Sequence, residues 1–119
     1  MKKKILLLIF TICIFTSTCS CALSQKSIDN RTGFLNYLKL TENNIRNEDW
    51  EKAKEYLEES IGTWEKIKPL LQIDIDHDYV NSIEDDFVKL GGYIDAKEKG
   101  DALATILLIK DTWENIGSL

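Results

Sequence analysis

The sequence predicts an all-α protein: a four-helix antiparallel bundle made of two helical hairpins, set behind an N-terminal signal or anchor segment. Three observations predict it. Apolar side chains recur at alternating intervals of three and four beyond residue 32, the period of a helix face. No strand signal competes, because the one stretch that alternates, Leu71 to Ile75, is interrupted by Asp74 and continues into Asp76, and so reads as a connection. The second half of the chain also echoes the first. Thr63-Trp64-Glu65-Lys66-Ile67 returns as Thr112-Trp113-Glu114-Asn115-Ile116.

The elements follow in order. Residues 1–22 read as an export signal or an N-terminal membrane anchor. Lys2, Lys3 and Lys4 form a positive start, Ile5 to Phe15 an apolar run, and Ser20 and Ala22 a small-x-small cleavage pattern. Left uncut, the uncharged stretch from Ile5 to Gln25 is long enough to cross a bilayer. A lipidated cysteine is a further possibility, at Cys21 or Cys19, although both lack the apolar residue usual three positions before. Cleavage after Ala22 removes every thiol, so the mature chain would hold no disulfide.

Residues 23–31 form a polar tether, and residues 32–119 the helical domain. In the first helix Phe34, Leu38 and Ile45 share a face, with Thr41 between them. The second carries Trp50, Ala53, Leu57, Ser60, Trp64, Ile67 and Leu71, with Asn47 as a candidate cap and Glu48 and Asp49 at the positive end of the helix dipole. Pro69 lacks a backbone donor and is expected to end or bend this helix near Lys68.

The third helix carries Val80, Ile83, Phe87, Leu90 and Ile94, capped by Asp76 or Asp78 and weakened by Gly91-Gly92. Lys99-Gly100-Asp101 reads as a stop and restart. The last helix carries Ala102, Ile106, Ile109, Trp113 and Ile116. Leu103, Leu107 and Leu108 widen its apolar face, which predicts burial on more than one side. The echo places Phe34 with Ile83, Leu38 with Phe87, Ile45 with Ile94, Ala53 with Ala102 and Leu57 with Ile106, which predicts two structurally equivalent helix pairs.

Composition narrows the function classes. An apolar share of 44% is too high for a disordered chain, and 6 Gly with 1 Pro exclude collagen-like sequence. The net charge is −5, and because the three lysines of residues 1–22 face no acid there, the rest of the chain carries −8. That argues against nucleic acid as a partner.

The most suggestive polar cluster is Asp74-Ile75-Asp76-His77-Asp78. Asp74, Asp76, His77 and Asp78 are candidate metal ligands, since alternate carboxylates resemble the start of a calcium loop. Tyr79 stands where that loop needs Gly, so capping of the third helix is the simpler use of these residues. His77 is the single His, and nothing places a nucleophile beside it; no catalytic constellation and no cofactor site is evident. Trp50, Trp64 and Trp113 lie on the seams and read as core.

Asp49-Trp50-Glu51-Lys52-Ala53, Trp64-Glu65-Lys66-Ile67-Lys68-Pro69-Leu70, Ile75-Asp76-His77 and Tyr93-Ile94-Asp95-Ala96-Lys97 followed by Ala102-Leu103 together resemble a bacterial family, domain of unknown function 4363. The resemblance runs from about residue 31 to the end; Gly91-Gly92 departs from it. It implies a short protein with an N-terminal hydrophobic segment and a wholly helical body, and it implies no activity. The expectation is a non-enzymatic protein-interaction module at the cell envelope, exported or secreted, with an envelope protein as partner and the membrane reached through the N-terminal segment. The alternative is a metal- or small-ligand-binding envelope protein using the acidic corner around His77.

Overall fold

The computed structural model describes residues 1–5, 28–29, 32–71 and 77–116. The candidate lipidation sites Cys19 and Cys21, the cleavage pattern, and Asp74 and Asp76 lie outside the described residues. Four long helices make up the body: α1 (Phe34–Arg46), α2 (Trp50–Leu71), α3 (His77–Asp95) and α4 (Lys99–Ile116). There is no strand among the described residues, and no helix there is long and apolar enough to cross a membrane.

The predicted seams are the core. Phe34, Leu38, Ile45, Ala53, Leu57, Trp64, Ile67, Val80, Ile83, Phe87, Leu90, Ile94, Ala102, Ile106, Ile109 and Trp113 are all buried. A fully buried side chain of the larger kind contributes ~1.5–3 kcal/mol, so this register is the main force holding the bundle. Each helix adds a ring to one aromatic cluster. Phe34 of α1 meets Trp113 of α4 at 4.9 Å between centroids, Trp64 of α2 at 5.8 Å and Phe87 of α3 at 6.3 Å. Edge-on geometry between Phe34 and Trp113, at 73°, suits their opposed ring charge distributions.

α1 packs most extensively on α2, and α3 on α4; α4 against α1 and α2 against α3 close the ring. The two hairpin corners are alike bond for bond. At the first, Glu48 N–H donates to Ile45 O at 3.0 Å and Asp49 N–H to Asn44 O at 2.9 Å, with Glu48 at φ 57°. At the second, Lys97 N–H donates to Ile94 O at 3.0 Å and Glu98 N–H to Tyr93 O at 2.9 Å, with Lys97 also at φ 57°. This is the Schellman helix ending, which satisfies carbonyls that the helix leaves open. The two corners stand 49 residues apart, the same offset as the sequence echo, so the repeat is structural.

Several local expectations are corrected. The chain stops and restarts at Ala96–Glu98 and not at Lys99-Gly100-Asp101: Gly100 and Asp101 lie within α4, because the left-handed residue is Lys97. Asn47 closes α1, and the cap of α2 is Asp49, whose Oδ1 accepts the Lys52 N–H at 3.2 Å. Pro69 lies inside α2, which reaches Leu71; one missing donor in a last turn removes a single bond. Gly91 and Gly92 sit near the end of α3, which continues through them to Asp95. Leu107 and Leu108 are 44% and 55% exposed, so the outer face of α4 is apolar but not buried.

Polar groups inside the bundle are satisfied locally. The hydroxyls of Thr41, Ser60, Thr63 and Thr105 each donate to the carbonyl four residues back at 2.8 Å. Ahead of α1, Gly33 adopts φ 67°, a left-handed value that favours Gly, and its N–H donates to Asp29 O at 2.8 Å. The turn holding Ile28 and Asp29 is thereby set against the bundle, with Ile28 packed on the core.

Candidate functional site

The two seams that join the hairpins differ in chemistry. Between α4 and α1, Lys110 Nζ donates to Glu42 Oε2 at 2.7 Å, and Arg46 holds the other oxygen at 2.8 Å. The Lys110 hydrogen bond, more than any other influence, holds the Glu42 carboxyl below its ordinary range. At the end of this seam Trp113 Nε1–H is shared between both Asp29 oxygens at 3.1 Å. Burial raises the Asp29 carboxyl, while the Trp113 bond opposes that shift in part.

Between α2 and α3 lies an open groove of about 320 Å³. Ile61, Trp64, Phe87 and Val88 give it apolar walls, and Glu65, Lys68 and Glu84 give it a charged rim. α2 supplies Ile61, Trp64, Glu65 and Lys68 because spacings of three and four stack them on one side of a helix. α3 supplies Glu84, Phe87 and Val88 by the same rule. Trp64 and Phe87 are held by the aromatic cluster beneath, so the floor is rigid.

Glu84 is the hub of the rim. Its Oε1 accepts the Trp64 Nε1–H at 3.3 Å and forms an ion pair with Lys68. The hydrogen bond from Lys68 lowers the Glu84 carboxyl most, and Glu84 in turn raises the Lys68 ammonium. Val88, by contrast, is 78% exposed at the lip.

The residues singled out by the sequence fall elsewhere. His77 and Asp78 form the exposed first turn of α3. Among the described residues no group of three His, Cys, Asp or Glu side chains is placed to hold a metal ion. Trp64 and Trp113 are core residues as expected, and Trp50 is half-buried against the core. The sequence reading missed the groove. Glu84 was hidden in an acidic helix face, and its pairing with Lys68 crosses two helices. The only advance signal was the mismatch within the repeat, where Ile61 and Val88 stand opposite Lys110 and Lys39 in register.

The family described as Domain of unknown function (DUF4363) matches residues 22–119. No curated protein and no solved structure matches the chain.

Proposed function

The chain belongs to the DUF4363 family, and from that membership and its geometry we propose that it is a non-enzymatic protein-interaction module. It works at the outer side of the cytoplasmic membrane, delivered or held there by residues 1–22, and its docking site is the groove between α2 and α3. The observation that carries this reading is the groove itself. An apolar floor fixed by the aromatic cluster, rimmed by oriented charges, is the usual anatomy of a recognition site. The basic, apolar pattern of Lys2 to Phe15 supports the location.

Site-specific photocrosslinking tests both parts. A crosslinker at Val88 of the full chain in intact cells is expected to yield one discrete adduct. The same group at Lys39, its register equivalent on the other seam, is expected to yield none. Equal labelling from both positions would remove the groove from consideration. Protection of an exposed cysteine away from the groove, introduced as K39C, from a membrane-impermeant thiol reagent in unpermeabilised cells would overturn the location.

A further inference from the structure

The repeat allows one seam to be read against the other. On the α4–α1 side the chain covers its own seam: Ile28 packs on the core, and Asp29 accepts the Trp113 Nε1–H. The same offset carries Ile28 and Asp29 onto His77 and Asp78. Those two residues do not fold over the α2–α3 seam. The left-handed turn at Gly33 has Ser82 as its counterpart, and Ser82 lies within an unbroken helix, so His77 and Asp78 continue α3 in the exposed state.

What the α2–α3 side lacks is therefore specific. The carboxylate supplied by Asp29 on one side is supplied by Glu84 on the other, already bonded to Trp64. Among the described residues, the aliphatic cover supplied by Ile28 has no such substitute. The walls around that place are also more apolar than on the covered side, since Ile61 replaces Lys110 and Val88 replaces Lys39. The rim holds two carboxylates, Glu65 and Glu84, against the single ammonium of Lys68.

We infer that the groove receives a short helical segment of a partner protein in which a large aliphatic side chain sits beside a basic one. The aliphatic group enters between Ile61, Phe87 and Val88, and the basic group meets Glu65. This rests on the reading of the groove as an interaction site. A volume of about 320 Å³ takes one or two such side chains, in keeping with the single turn that covers the other seam.

The indole N–H groups provide the readout, with Trp64 in the groove and Trp113 beneath the covered seam. The ¹⁵N-labelled full chain in nanodiscs is titrated with three helical peptides carrying Leu beside Lys, Leu beside Glu, or Ser beside Lys. The Leu–Lys peptide is expected to shift the Trp64 indole signal and leave that of Trp113 in place. E65Q is expected to weaken binding about two- to fivefold, the worth of one exposed ion pair. I61K with V88K, which copies the lysines of the other seam, is expected to abolish it while the amide spectrum stays folded. Equal or tighter binding of the Leu–Glu peptide overturns the charge rule and leaves the groove standing as a site. A Trp64 shift that follows protein concentration without peptide makes a second copy the occupant and overturns the proposal. Silence from every peptide, together with no adduct at Val88 in cells, removes the site itself.

Discussion

Replacing Glu48 by Gly, and Lys97 by Gly, is expected to stabilise the bundle. Both residues hold φ 57° after a helix, where a Cβ crowds the following carbonyl at a cost of ~1–2 kcal/mol. Gly removes that strain but adds freedom to the unfolded chain, returning ~0.4–1 kcal/mol. The net gain is about 0.5–1 kcal/mol at each corner. Both side chains are exposed, and no ion pair of either is lost. In a domain of this size 1 kcal/mol moves the melting temperature by ~4–8 °C, so each variant should rise by about 2–8 °C and the double by roughly the sum. The assay is helical circular dichroism during heating, with urea titration to confirm that the midpoint and not the slope has moved. Asn47, at φ −86°, is the control: N47G places Gly where no strain exists and should be neutral or destabilising. A drop in melting temperature for E48G, or an equal rise for N47G, would refute the argument.

Two other outcomes are expected. E42Q leaves the Lys110 ammonium, 21% exposed, without its carboxylate, and should cost about 1–2 kcal/mol, between the values for surface and buried pairs; K110M in the same chain should restore part of it, as a urea double-mutant cycle will reveal. Acid should also weaken the fold. Glu42 and Glu84 are held below the ordinary 4.5, so their contribution is present above that value and is lost as pH falls through their lower folded values. Asp29, raised above 3.8 by burial, acts in the opposite sense and favours the folded state on acidification, so D29N should steepen the acid loss in melts run from neutral to acidic pH.

The fold was legible because burial in a bundle is written one helix at a time. The spacings from Ala53 to Leu71 and from Ala102 to Ile116 already define which faces turn inward, and the echo between Trp64 and Trp113 defines how the pairs correspond. The corners were less legible, since the rule that Gly marks a helix end failed twice. Glu48 and Lys97 occupy the left-handed positions, while Gly100 lies inside a helix. Leu107 and Leu108 misled for a related reason: apolar character places a residue on a face, but only packing decides whether a neighbour covers it. The groove showed in the sequence only as the mismatch of Ile61 and Val88 with Lys110 and Lys39 in the repeat. Its rim depends on Lys68 of α2 meeting Glu84 of α3, a contact between helices that no local spacing announces.

The two ion pairs that bridge the hairpins have a bearing on how the halves recognise each other. The positions equivalent to Glu42 and Lys110 are Gly91 and Ile61; those equivalent to Lys68 and Glu84 are Gly117 and Leu35. The buried apolar register is shared by both hairpins, so it does not by itself distinguish a first hairpin from a second. The charges do. Two first hairpins placed together would set Glu42 against Ile61 and Lys68 against Leu35; two second hairpins would set Lys110 against Gly91 and Glu84 against Gly117. Either mispairing parts charged groups at a closing interface from their cross-hairpin partners, a modest cost because all four are part exposed and Glu42 keeps Arg46. Only a first hairpin with a second closes both pairs. A body built from two like hairpins thus carries charges that set a first hairpin beside a second, and they disfavour the pairing of like hairpins from two newly made chains.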